Sequence, residues 1–522
     1  MLPRSVLVLC VAFVCTRGLR TDKQYWLNLA KNELNEALEV KLNYNTAKNV
    51  ILFVGDGMGP NTVTATRIYK GGESHRLVYE KFPHVGLLKT YAANKMVPDS
   101  ACTATAMFCG IKSNKDTVGV DASVKPFDCN ASLKTEARPQ SLAAVALNAG
   151  KSAGFVTTAR VTHATPGPMY AHTASRYWEC DGAMPPGAES CKDTARQLVE
   201  DFPGRDLHVV MGGGKQSLVT NVTKTPDDPL DDLWGCLRKD GRNLIQDYKD
   251  DKSRRGLNYR VVTDNEELKN LNIENTDYLF GVFANSHLSF EDKRNKGPKG
   301  MPSLSDMVAA AIKVLRKNEN GYFLMVEGAS IDLAHHNNWA KRAIIESAAM
   351  EEAVELAANM TDEADTLLIV TSDHQTTLSI NGYPNRGSNI FDIAGTSEHD
   401  GINYTTLFYA SGGPESHQYY VNTDKNGTKA LRRDPSKDDV QNYEYSYQSG
   451  IALFEGVHGG GEVAIYARGP YSHLFHNVHE QHYVFHAISY AAKIGEYAKN
   501  GSQNTKFIFN LLYISLVCHI IL

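Results

Sequence analysis

Acidic and imidazole side chains recur where apolar runs of this chain end. The run NVILFVG (49–55) leads straight into Asp56, which lies in GDGMG (55–59). A carboxylate between glycines can approach a cation without steric cover. YFLMVEG (322–328) carries Glu327 and is followed by Asp332 and the pair His335-His336. Asp332 and His336 are four apart, which on a helix puts them on one face, a turn apart. Carboxylate plus imidazole suits zinc. TLLIVTSD (366–373) ends at Asp373, with His374 next, and His458 stands in EGVHGGGE (455–462), just before EVAIYARG (462–469). Strand ends that each offer Asp, Glu or His amount together to a multi-metal site. With no thiolate among the donors, zinc and magnesium fit better than iron–sulfur or copper.

A hydroxyl and an arginine complete the set. Ser100 opens VPDSACTATAMFCG (97–110), a stretch of small residues with helical propensity. Serine at a helix N-terminus sits in the positive end of the macrodipole, and adjacent zinc would help ionise it; on this segment alone it reads equally as an N-cap. The tract TTARVTHATPGPMYAHTASRYW (157–178) offers His163, Thr165, His172 and Arg176. An arginine there would clamp two phosphate oxygens through its fork; taken singly, Arg176 is a surface residue.

Positioning these residues requires a scaffold of buried strands. Besides the runs above, SAGFVTT (152–158), DLHVVMG (206–212) and YLFGVFA (278–284) are continuously apolar, as strands buried on both faces are. Amphipathic helices are expected over 303–318 and 342–360, each before a strand. The alternation predicts an α/β fold: a large, mostly parallel central sheet flanked by helices, with functional residues at the strands' carboxyl ends. Residues 381–455, rich in Gly, Asn, Ser, Tyr and Asp with one strand-like run at 405–412, read as an inserted surface subdomain. Residues 21–40 read as a lone amphipathic helix, within an arm spanning 19–44 that could pack on a partner subunit.

The chain has 522 residues, 42% hydrophobic and 22% charged, which excludes intrinsic disorder. Its formal charge of −5 leaves no basic footprint for nucleic acid, and a mean hydropathy of −0.34 excludes a polytopic membrane protein. Residues 1–18 read as a secretory signal. The apolar tail FIFNLLYISLVCHIIL (507–522), with Asn500-Gly501-Ser502 upstream, reads as a GPI attachment signal spanning 501–522, leaving 45–500 as the catalytic domain. Sequons at Asn130, Asn221, Asn359, Asn403, Asn426 and Asn500 fit that compartment. Nine cysteines become six once the two ends are set aside: Cys129, Cys180 and Cys191 flank loops and are candidates for bridging, Cys236 is left without an assignment, and Cys102 and Cys109 read as buried free thiols. His473, His476, His479, His482 and His486, spaced three or four apart, read as an interface or surface helix, Gly212-Gly213-Gly214 as a tight turn, and Asp231 and Asp232 as solvated loop charges.

GDGMG, DSACTATA, VTHATPG with the later SRYW, VEGASIDLAHH, TSDH and VHGGGE occur in this order over roughly residues 45–495. Together they resemble the animal alkaline phosphatase family. The resemblance implies a secreted, GPI-anchored, homodimeric phosphomonoesterase with two zinc ions and one magnesium ion per subunit. It implies Ser100 as the phosphorylated nucleophile and Arg176 as the phosphate-binding arginine. Asp332, His336 and His458 match the ligands of the first zinc. Asp56, Asp373 and His374 match those of the second, with Ser100 as neighbour. Asp56, Thr165 and Glu327 match the magnesium site, Thr165 standing where the family often has Ser. His163 and His335 are expected beside the ligands rather than among them. Two departures stand out. Cys102 replaces a glycine of close vertebrate members, and Ala284 follows Phe283 where many vertebrate members carry a calcium-binding carboxylate, which leaves a calcium site unsupported. A sulfatase would need a Cys-x-Pro-x-Arg setting, which Cys102 lacks; a diesterase would more often use Thr as nucleophile; and a silent surface glycoprotein would be expected to have lost ligands.

Overall fold

The structure is a computed structural model that describes residues 22–498 except 425 and 426. The expected signal segment, the tail and the sequons at Asn426 and Asn500 lie outside the described residues. The described residues up to Lys41 form one compact unit and those from Leu42 onward a second. In the first, helix α1 (Lys23–Glu39) starts at Asp22, whose carboxylate accepts from the Tyr25 N–H, matching the expected helix.

The second unit is built on a ten-stranded sheet. Its strands are β1 (Asn49–Gly55), β2 (His84–Lys89), β3 (Ser152–Arg160), β4 (Val209–Gly213), β5 (Tyr259–Val262), β6 (Tyr278–Val282), β7 (Tyr322–Gly328), β8 (Thr366–Ser372), β9 (Val463–Arg468) and β10 (Asn477–Glu480). Their order is β10-β2-β9-β8-β1-β7-β3-β4-β6-β5. All pairings are parallel except those of β9 with β8 and with β2. The mostly parallel sheet expected from the sequence is therefore present, with one reversed strand.

The central strands read as unbroken apolar runs because both faces are covered. Val50, Leu52 and Val54 of β1 enter one hydrophobic cluster and Ile51 and Phe53 the other. Each fully buried side chain of this size is worth roughly 2 kcal/mol. Helix α2 (Ser100–Cys109) lies under the first face with every residue buried. Helix α3 (Leu304–Leu315) begins with a Ser303–Asp306 capping box, and its Met307, Val308, Ala311 and Ile312 fill the second cluster. Helix α4 (Ser330–His336) follows β7 directly, and α5 (Ala340–Met360) precedes β8 and packs on α3.

Several expectations need correction. β2, β5 and β10 were not expected; they lie at or next to the sheet's edges and bury fewer residues. Residues 381–455 hold more than one strand: 407–412 and 449–452 form a three-stranded sheet with 378–380, just outside the segment, while 393–396 pairs with 403–405 and 419–424 with 427–432. The histidine stripe is not a helix. His473 lies in a short 3-10 turn, His479 on β10, and His486 in the helix Tyr483–Ala492. Helical spacing across a turn, a strand and a helix is coincidence here. Gly214 does make the tight turn after β4, at φ 98°. Disulfides join Cys129 to Cys191 and Cys180 to Cys236, while Cys102 and Cys109 are buried free thiols. Among the described residues, no helix is long and apolar enough to cross a membrane.

Candidate active site

The sheet register brings the acidic residues together. Val54 is level with Glu327 on β7, Gly55 with Ser372 on β8, and Glu327 with Thr157 on β3. Asp56, Glu327 and Asp373 therefore emerge from three adjacent parallel strands at one height, at the carboxyl edge where an open α/β sheet places its ligands. His458 precedes its strand instead of following one. It reaches the same edge because β9 runs antiparallel to β8. A short bridge to Thr376 fixes it there.

Three groups form. Donor atoms of Asp332, His336 and His458 lie within 4.8 Å of one another, as do those of Asp56, Asp373 and His374, and those of Asp56, His163 and Glu327. In the first, α4 places His336 Nε2 2.9 Å from Asp332 Oδ2, and His458 Nε2 lies 3.5 Å from the same oxygen. His336 Nδ1 donates to the Gly456 carbonyl at 2.6 Å and His458 Nδ1 to that of Pro98 at 2.9 Å. Nε2 of each ring is thus left for another partner, and the two Nε2 atoms face each other at 3.3 Å beside a carboxylate. Such a set wants a cation. Burial pushes the His336 imidazole down, but neighbouring Asp332 outweighs it and brings it to about 9.

In the second group, His374 Nε2 sits 3.1 Å from Asp373 Oδ2 and 3.4 Å from Asp56 Oδ1. Burial, then Asp373, Asp332 and Glu327, drive the Asp56 carboxyl well above its usual range. Four carboxylates this deep repel one another unless positive charge joins them. Gly57 closes the turn at φ +66°, and a Cβ there would come 2.3 Å from Asp332 Oδ1. The GDGMG turn thus brings Asp56 and Asp332 together only because position 57 has no side chain.

In the third group, burial pushes the Glu327 carboxyl up to about 7, against the hydroxyls of Thr157 and Thr165. Thr157 Oγ1 donates to Glu327 Oε2. His163 is expected beside the ligands, yet its ring nitrogen comes within the group. Burial, then Arg160 and His287, hold His163 well below the usual imidazole range. His335 stays out of the groups: its nitrogens meet Tyr409 Oη at 2.7 Å and Thr62 Oγ1 at 3.0 Å.

Ser100 Oγ lies 3.2 Å from His374 Nε2 and donates to Asp56 Oδ1 at 3.4 Å. The N-cap of α2 is Asp99, whose carboxylate accepts from the Cys102 N–H. Ser100 is therefore the first helical residue, and the reading of it as the cap is corrected. Arg176 Nη1 donates to Asp99 Oδ2 at 2.9 Å, and its Nη2 lies 3.5 Å from His163 Nε2. The structure thus brings Arg176 into the site and overturns its reading as a surface residue.

The donor set fits divalent cations on a direct count. Among the described residues, Thr165 Oγ1, Glu327 Oε1 and Asp332 Oδ1 are buried polar atoms without a hydrogen-bond partner, as is His163 Nδ1. Buried polar groups are otherwise nearly always paired. These atoms leave the site with donors that a cation could satisfy.

The family model described as Alkaline phosphatase matches residues 47–494. The chain belongs to the alkaline phosphatase family. It is 42% identical over 506 residues to the tissue-nonspecific alkaline phosphatase isozyme of Homo sapiens, covering 94% of this chain and 93% of that one. It is 42% identical over 485 residues to the alkaline phosphatase of Gadus morhua, covering 91% and 98%. The structure of alkaline phosphatase from the Antarctic bacterium TAB5 superposes with a TM-score of 0.59 at 23% identity, covering 87% of this chain and all of that one; it shares the fold.

Asp99 and Thr157 carry parts the sequence reading did not assign. Asp99 directly precedes Ser100, an N-cap position that could have marked it. Thr157 opens the quoted tract, but only the strand register reveals its partner. Asp231 is not a solvated charge: its carboxylate pairs with buried Arg160 at 3.1 Å and caps the Leu233 and Trp234 N–H groups.

Proposed function

We propose that this chain is an alkaline phosphatase that hydrolyses phosphate monoesters through a phosphoserine at Ser100. The observation carrying the reading is the convergence of one serine hydroxyl, one arginine fork and three metal-capable groups at a single sheet edge.

Asp332, His336 and His458 would hold one zinc ion, Asp56, Asp373 and His374 a second, and Asp56, Thr165 and Glu327 a magnesium ion. These ions would supply Lewis-acid charge neutralisation and lower the pKa of the hydroxyl and water they contact.

The chain's own groups do the rest. Arg176, oriented by Asp99, holds two non-bridging phosphate oxygens. The N-terminus of α2 adds positive potential at Ser100. Ser100 Oγ attacks phosphorus as its proton passes to water on the Thr165 and Glu327 side, and the ester P–O bond breaks on the opposite side, the departing oxygen taking a proton from solvent. In-line geometry directs the departing oxygen towards Asp332, His336 and His458. Water then enters on the vacated side, attacks phosphorus and releases phosphate, which restores Ser100. Arg176 keeps the phosphoryl oxygens aligned in both steps.

The test is hydrolysis of an aryl phosphate at alkaline pH by wild type and Ser100→Ala, with and without a chelator. Wild-type turnover should depend on divalent metal, and the variant should lose most of it. A fully active variant, or indifference to the chelator, contradicts the reading. A homodimer on the outer cell surface, held by a lipid in place of residues 501–522, completes the proposal. Release of the protein from membranes by phosphatidylinositol-specific phospholipase tests the anchor; no release would contradict it.

A further inference from the structure

Two exposed aromatic rings stand together near the groups just described. Trp234 is 50% exposed and Phe454 71% exposed. Their centroids are 5.9 Å apart with the ring planes at 66°, an edge-to-face pair. Large rings held this far into solvent leave much apolar surface uncovered in the free protein.

Each ring is tied to a different side of the site. Phe454 lies two residues before Gly456, whose N–H donates to the His336 carbonyl at 2.8 Å and whose own carbonyl accepts from His336 Nδ1. Glu455, between them, has its carboxylate 3.8 Å from that imidazole. Trp234 is fixed through its N–H, which donates to Asp231 Oδ1 at 2.8 Å. Asp231 pairs with Arg160, and Arg160 Nη1 donates to His287 Nε2 at 2.6 Å. The His287 ring packs edge-on against His163, 5.2 Å away, and His163 adjoins Arg176. The pair therefore joins the Arg176 side of the site to the His336 side.

From this placement we infer that Trp234 and Phe454 form a binding subsite for a planar aromatic ring on the leaving group of the ester. The inference rests on the proposed function. The phosphoryl group is held at Ser100 and Arg176, the ester oxygen departs towards Asp332, His336 and His458, and Phe454 is two residues from the glycine that clasps His336. Edge-to-face packing leaves a face of each ring free to stack on a flat group, an interaction that costs little ordering because both rings are already placed.

The experiment compares phenylphosphonate with methylphosphonate binding to the metal-loaded enzyme by calorimetry, in wild type, in Trp234→Ala/Phe454→Ala and in Trp234→Phe/Phe454→Tyr. Wild type should prefer the phenyl compound about tenfold, within the range of aromatic stacking. The alanine pair should lose that preference and the aromatic pair keep it. In parallel, the kcat/KM ratio of phenyl phosphate to glycerol phosphate should fall by a similar factor in the alanine pair. An unchanged preference and ratio in the alanine pair overturn the subsite. If wild type binds phenylphosphonate selectively yet hydrolyses neither ester, the subsite stands and the proposed function fails.

Discussion

Arg176 is clamped by Asp99: Nη1 donates to Oδ2 at 2.9 Å, and the same carboxylate caps the helix that begins with Ser100. One side chain thus sets both the Arg176 fork and the helix that Ser100 begins. Asp99→Asn retains a competent cap but removes the charge-assisted half of the pair. KM for an aryl phosphate and Ki for inorganic phosphate should rise together, about fivefold, equivalent to about 1 kcal/mol of lost pre-organisation. Steady-state kinetics with phosphate as competitor checks this. Unchanged values for both would show that Asp99 does not orient the arginine.

Gly57 is a second point of control. Its φ of +66° and the 2.3 Å approach of a built Cβ to Asp332 Oδ1 leave no room for a side chain. Gly57→Ala should displace Asp332 from His336 and His458. Zinc per chain should fall, and kcat should drop by roughly a hundredfold, the scale of a misplacement of about 1 Å. Metal analysis alongside kinetics distinguishes this from general unfolding, for which circular dichroism is the control. Full zinc content with wild-type kcat would contradict the packing argument.

His172 makes part of the stability dependent on pH. It is partly buried, donates from Nδ1 to the Gly119 carbonyl, and is lowered by desolvation to about 4 from 6.5. Between those values the unfolded chain binds a proton that the native state does not, so stability rises with pH across the window and levels off above it. The full swing is of order 3 kcal/mol. His172→Gln should therefore show a shallower change in unfolding midpoint between about pH 5 and pH 7.5 than wild type. Parallel slopes in the two proteins would remove His172 as the cause.

The buried centre of the fold was legible because strands covered on both faces leave unbroken apolar runs, and the chemical residues stand at their ends. β2, β5 and β10 were not legible: at or near an edge, half of each strand faces solvent and no run forms. The site was legible residue by residue, but its closeness was not. That Asp56, Glu327 and Asp373 share one height depends on register, and that His458 joins them depends on β9 running backwards. Thr157 and Asp99 act through contacts to residues distant in sequence, which spacing cannot reveal. The histidine stripe shows the reverse error, a regular spacing without the helix that would give it meaning.

The central claim is that residues spread from Asp56 to His458 enclose two zinc ions beside Ser100. Anomalous diffraction at the zinc edge, on crystals of the purified chain, tests it most directly. The account predicts two peaks, one among Asp332, His336 and His458 and one among Asp56, Asp373 and His374. Peaks at other residues, or no zinc in either group of zinc-supplemented crystals, would contradict it.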